Sequence, residues 1–193
     1  LPNNYNNELI KILDNYKING KFRYKLNFIF RNSNEKNPII TKYEVLENKT
    51  YYLPSFPSYF KRIMTYALVD YNKRKISIYN THLEVKNNKV KRKQLNKIYK
   101  IIKKDKNPII LMGDFNLTVN NQIFKEFIMK LNNLEIRRVE INNKTYINSK
   151  KEEAIDHIFL SKELNIINKK IIKDLNISDH YPILIDIKYK REV

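Results

Sequence analysis

Apolar residues recur along this chain in two periods. Leu9, Ile12, Leu13 and Tyr16 have helical spacing over Asn4 to Tyr16, with Gly20 as a stop. Phe22, Tyr24, Leu26, Phe28 and Phe30 alternate with polar residues, the pattern of a strand with one buried face. Pro38 opens a strand expected to run through Val45. Tyr51 to Phe60 carries two prolines among aromatic side chains and is expected to be a loop. Met64–Val69 and Lys75–Asn80 are expected to pair across a turn at Asp70–Lys73. Leu95, Ile98 and Ile102 make the apolar stripe of a helix over Val90 to Lys104. Its lysines are expected to be solvated.

Ile109 to Met112 is an unbroken apolar run, the mark of a strand buried on both faces. Asn121 is a cap for a second helix, whose buried stripe is Ile123, Phe124, Phe127, Ile128 and Leu131. Residues 132–153 are polar and aperiodic, so irregular structure is expected. Ala154–Leu160 and Ile183–Tyr189 are strand-like. Helices that alternate with strands, some of them hairpin-paired, predict a mixed sheet with helices on its outer faces.

At 193 residues, 42% hydrophobic and 30% charged, the chain has the size of one domain with a core, and no apolar stretch is long enough to span a membrane. It has no cysteine, which excludes disulfides and thiolate metal sites. Two glycines exclude a glycine-rich phosphate loop. The formal charge of +18 suits a polyanionic partner, nucleic acid or an anionic membrane. With 30 lysines to 8 arginines beside abundant asparagine and isoleucine, that charge also fits codon bias and is only mild support.

Chemistry concentrates at the ends of the strand-like runs. Asn80-Thr-His-Leu83, Gly113-Asp-Phe-Asn116, Ile155-Asp-His-Ile158 and Ser178-Asp-His-Tyr-Pro182 are polar cassettes beside apolar segments, and they hold all three histidines. A lone histidine is ordinarily a surface or core residue; four such cassettes reverse that expectation. Their Asp and Asn oxygens suit Mg²⁺ or Mn²⁺ better than zinc. A divalent ion beside histidines points to hydrolysis of a phosphate ester.

In order and spacing the four cassettes resemble the motifs of the endonuclease/exonuclease/phosphatase superfamily. The resemblance implies an α/β fold, a four-layer α/β sandwich with two mixed β-sheets packed face to face and helices outside, over a single domain of residues 1–193. It implies a Mg- or Mn-dependent phosphodiesterase. His82 would bind the scissile phosphate or protonate the leaving oxygen. Asp114 would orient or activate the attacking water, and Asn116 would hold that water or the phosphate. Asp156 would pair with His180, which would contact the phosphate as base or electrostatic stabiliser. Asp179 would help ligate the metal, and Arg62 stands where the family often places a phosphate-binding arginine. Alternation along the strand sends Asp156 into the cleft and His157 away from it.

Two family features are not visible: the strand ending in Gln-Glu, whose glutamate is the main metal ligand, and a carboxylate partner for His82 on Phe22–Phe30. The expectation is that the chain begins after the metal-glutamate strand. For the substrate, nucleic acid is the first reading, with the aromatic side chains of 51–60 stacking on bases. The alternatives are a phospholipid, sphingomyelinase-like phosphodiesterase that dips the same loop into a membrane surface, and a non-catalytic nucleic-acid-binding relative. Plain packing of the loop over the sheet edge competes with both of its functional roles.

Overall fold

The computed structural model describes residues 37–190, apart from 59, 142, 148–150 and 174–177. The helix expected over Asn4–Tyr16 and the strand expected over Phe22–Phe30 lie outside the described residues. Among the described residues the chain runs β1 (Glu44–Tyr52), β2 (Ile63–Tyr71), β3 (Arg74–His82), α1 (Asn88–Ile102), β4 (Ile109–Asp114), α2 (Gln122–Asn132), β5 (Ile136–Arg138), β6 (Tyr146–Ile147), β7 (Glu152–Glu153), β8 (Asp156–Ser161), β9 (Leu164–Ile171) and β10 (Ile183–Tyr189).

Six strands form one mixed sheet in the order β1-β2-β3-β4-β8-β5. Among the described strands only β3 and β4 pair in parallel, and α1 is the crossover between them. β2 and β3 form the expected hairpin, with Asn72 and Lys73 at positive φ in its turn. The strands at the centre are apolar on both faces because both are covered. Met64, Tyr79, Leu111 and Phe159 point to the side carrying α1 and α2, where they join Leu95, Ile98, Phe124 and Phe127 in one core. Ala67, Val69, Ile76, Ile158 and Leu160 point to the other side. There the alternating Ile183, Ile185 and Ile187 of β10 pack against them, in an antiparallel β9–β10 pair. Helices, a large mixed sheet and strands facing it from the other side give, among the described residues, three layers of the expected α/β sandwich.

Asn87 caps α1 by accepting from the amides of Lys89 and Val90, and Asn121 caps α2 by accepting from Ile123. Three expectations need correction. Strand β1 begins at Glu44 and continues to Tyr52, so the expected loop starts later. Among the described residues it is an edge strand, exposed along most of its length, and pairing with β2 sets its limits. The stretch 132–153 contains the short strands β5, β6 and β7. Strand β9 carries no clear alternation, and pairing with β10 defines it.

Candidate active site at the strand ends

Register builds the site. His82, the last residue of β3, lies opposite Asp114, the last residue of β4, and Asp114 lies opposite Asp156, the first residue of β8. Residues directly opposite on neighbouring strands share a face, so three polar side chains stand in a row at one end of the sheet. His180 joins them from the turn before β10. Its backbone bridges Tyr146, and the Tyr146 ring packs on its imidazole with centroids 4.8 Å apart.

Gly113 makes this row possible. Its φ is +143°, and a Cβ there would fall 1.9 Å from the carbonyl oxygen of Thr81 on β3. Only glycine fits that approach. Two residues on, Asn116 adopts φ +51°, a left-handed conformation that asparagine tolerates better than most residues. Its amide donates to Asp114 Oδ1 at 2.8 Å, and its Nδ2 donates to Leu83 O at 3.0 Å and to Asp114 Oδ2 at 3.2 Å.

The histidines have distinct surroundings. Arg62 Nη1 lies 3.1 Å from His82 Nδ1. A guanidinium has only donors, so Nδ1 accepts and the ring proton of His82 sits on Nε2. That Nε2 is 3.4 Å from Asp114 Oδ2. His180 is held the other way: its Nδ1 donates to Asp156 Oδ2 at 2.8 Å, and its Nε2 is 4.0 Å from Asp114 Oδ2. The hydrogen bond to Asp156 raises the His180 pKa above the ordinary histidine value, against the effect of burial. Burial, followed by the charge of Asp156, raises the pKa of Asp114. His157 points to the helix side, where its Nε2 is 2.8 Å from Leu117 O and its ring packs on Phe124 and Phe115. Burial lowers its pKa to about 4.

The strand ends thus gather His82, Asp114, Asn116, Asp156, His180 and, through His82, Arg62. The Asp179 side chain is exposed at the rim, within 3.5 Å of the Ser178 hydroxyl. Among the described residues, the carboxylates and imidazole able to share a cation are those of Asp114, Asp156 and His180, with donor atoms all within 4.8 Å of one another. Asp179 is outside that group.

Three further residues shape the site and were not singled out by the sequence pattern. Lys91, expected to be solvated, is buried on α1 and donates to the Asn116 carbonyl at 2.8 Å. It is the exception on an otherwise basic exposed face. Glu84 is also buried. Burial is the largest influence on its pKa and raises it, but hydrogen bonds from Ser58, Lys86 and Asn87 and the charge of Arg62 together hold it below the usual carboxylate value. Thr145, fully buried, accepts the amides of Ile155 and Asp156 on one hydroxyl and fixes the start of β8. Each gains its role from a partner distant in sequence, and a lysine among lysines or a threonine in a polar stretch gives no local signal.

A family model described as endonuclease-reverse transcriptase matches residues 74–184, more than half of the chain. No curated protein matches in sequence. Among solved structures, an endonuclease/exonuclease/phosphatase from Bacteroides vulgatus is similar, with TM-score 0.64 and 22% identity over 77% of this chain and 67% of that one. The mannosyl-6-phosphatase Bt3783 of Bacteroides thetaiotaomicron gives 0.59 and 20% over 76% and 67%. A beta toxin mutant from Staphylococcus aureus with bound magnesium ions gives 0.56 and 18% over 78% and 66%. The chain spans about two thirds of the length of these structures. At these identities the structures establish a shared fold, and the matching family model, with the row His82, Asp114 and Asp156 at its strand ends, shows that this chain belongs to the endonuclease/exonuclease/phosphatase superfamily.

Proposed function

We propose that this chain is a divalent-metal-dependent phosphodiesterase acting on nucleic acid. The observation that carries the reading is the placement of Asp114 Oδ2 between the Nε2 atoms of two imidazoles of opposite tautomeric constraint, 3.4 Å from His82 and 4.0 Å from His180.

Asp114 and Asp156 fit a cation by their chemistry. Two carboxylates close enough for one to raise the other's pKa are relieved by positive charge between them, and Mg²⁺ or Mn²⁺ is commonly held by one or two carboxylates plus waters. When bound there, the ion would neutralise charge on the phosphoryl oxygens.

The side chains divide the remaining work. Asp114, whose Oδ2 lies between the two imidazoles, takes the proton of the attacking water as the water oxygen bonds to phosphorus. Asn116 holds that carboxylate in place through its amide and Nδ2. His82 presents a neutral Nε2–H. Loss of that proton would leave an imidazolate, so His82 serves as a hydrogen-bond donor to a phosphoryl oxygen and not as the acid. Of its two expected roles, phosphate binding is the one its tautomer supports. His180, whose protonated form Asp156 favours, gives its Nε2 proton to the departing oxygen as the P–O bond breaks. Water and a phosphodiester thus become a phosphomonoester and an alcohol.

The test is hydrolysis of bis(4-nitrophenyl) phosphate, a single-stranded oligonucleotide and 4-nitrophenyl phosphate with Mg²⁺, Mn²⁺ or Zn²⁺. Cleavage of the two diesters with Mg²⁺ or Mn²⁺, and its loss on chelation, is expected. Preference for the monoester would replace the reading with a phosphatase. Activity that survives chelation or is restored by zinc alone would overturn the metal assignment.

A further inference from the structure

Phe56 and Phe60 are 83% and 71% exposed, on a loop that packs beside the reactive residues. We propose that they form a stacking platform for unpaired bases flanking the scissile phosphate, so that the substrate is a single-stranded or locally opened nucleic acid. The inference rests on the phosphodiesterase reading of the site and adds the form of its substrate.

The loop is held at both ends and in the middle. Leu53 N donates to Arg62 O at 2.8 Å and closes its base. The fully buried Gln94 of α1 donates from Nε2 to Pro54 O at 2.9 Å while its Oε1 accepts from Glu84 N at 2.9 Å. Lys97 Nζ donates to Tyr52 O at 2.5 Å, and Ser58 Oγ donates to Glu84 Oε2 at 2.5 Å. Two large apolar rings on a loop fixed this way face water without covering any core. Of the aromatic residues expected to stack, Tyr51 instead packs against the helix-side core.

Position ties the rings to the chemistry. The Arg62 guanidinium carbon lies 5.9 Å from the centre of the Phe60 ring, and Arg62 Nη1 lies 3.1 Å from His82 Nδ1. Phe60 is thus one side chain removed from the imidazole that would hold the phosphate. The charge around the loop is complementary to a phosphate backbone. Lys89, Arg92, Lys93, Lys97 and Lys100 are exposed on the helix to which the loop is bonded, and that helix carries no acidic residue. Aromatic rings beside a basic track are the features by which proteins bind unpaired strands, and a base that stacks on a side chain has left its neighbours' stack.

A membrane surface fits less well. Sinking Phe60 among acyl chains would bring Arg62 and the buried Glu84 carboxylate toward the hydrocarbon, where charge is costly.

The test compares the full chain with Phe60→Ala, Phe56→Ala and Phe60→Tyr at one salt concentration. The probes are a short fluorescent single-stranded oligonucleotide, the same strand with abasic spacers at its centre, and phosphatidylserine/phosphatidylcholine vesicles. Phe60→Ala should weaken binding of the intact strand about tenfold and Phe56→Ala by less, the scale of one base–aromatic stack. Phe60→Tyr should restore it. The abasic strand should bind the unaltered protein as weakly as Phe60→Ala binds the intact one. Unchanged oligonucleotide affinity in both alanine variants, or loss of vesicle binding in place of strand binding, would overturn the platform. Failure to hydrolyse the small diester would instead sink the phosphodiesterase reading, while the binding comparison still reports on the rings.

Discussion

Arg62 Nη1 and His82 Nδ1 are 3.1 Å apart, and this contact fixes which ring nitrogen of His82 faces the cleft as a donor. Arg62 is itself buried, with its guanidinium also against Phe60 and its charge acting on Glu84. Replacing it with methionine, similar in length but without a donor, should free the tautomer. Turnover should fall about 10- to 100-fold, the scale of losing a group that orients a reactive side chain, with a smaller change in KM. Nitrogen-15 spectra of His82 should show a single Nε2–H form in the unaltered protein and a mixture in the variant. An unmixed tautomer in Arg62→Met would refute the role.

Asp114 carries a cost in stability. Its pKa is raised in the folded protein, so folding favours its protonated form. Its favourable contribution is complete below the unfolded carboxylate value and is lost as pH rises through the folded one. At neutral pH the ionised group is held against burial and the charge of Asp156. Asp114→Asn should therefore cut turnover at least about 100-fold and yet melt no lower than the unaltered protein in the presence of a chelator. Adding Mg²⁺ should raise the melting temperature of the unaltered protein and leave the variant unmoved. A variant that melts well below its parent in chelator would contradict this account.

Gly113→Ala should be among the most damaging single changes in the chain. The added carbon would meet the Thr81 carbonyl at 1.9 Å, in backbone that cannot shift without breaking the β3–β4 register. A loss of roughly 3 kcal/mol or more, or failure to fold, is expected in denaturant melts. A mild effect would mean that the two strands separate more easily than their pairing implies.

His157 makes the fold sensitive to acid. Its folded pKa is lowered to about 4, so between that value and the ordinary 6.5 the unfolded chain binds a proton that the folded one refuses. The stabilisation present above about pH 6.5 is lost as pH falls toward 4, by roughly 3 kcal/mol at most. His157→Gln, which retains a donor for Leu117 O, should flatten the stability profile over that window. Activity at neutral pH should change far less than in a variant of His180. An unchanged acid profile would place the sensitivity elsewhere.

By itself the sequence determined the elements whose evidence is local. Leu95, Ile98 and Ile102 recur at helical spacing, Asn121 stands where a helix needs its cap, and Ile109 to Met112 is apolar enough for burial on both faces. It also held the four cassettes in order, and strand alternation alone separated Asp156 from His157. Tertiary structure decided the rest. Strand β1 reaches Tyr52, and β9 exists, because partner strands supply the hydrogen bonds that those exposed segments do not encode in their pattern. Lys91 and Thr145 become part of the site because Asn116 and the start of β8 are brought to them across long stretches of chain. Asp179 stands beside His180 in sequence, yet its side chain faces solvent at the rim. The tautomers of His82 and His180 follow from a guanidinium and a carboxylate that only folding sets against them. Short-range periodicity encodes which residues are buried, whereas the direction of a hydrogen bond depends on a partner whose position the whole sheet must fix.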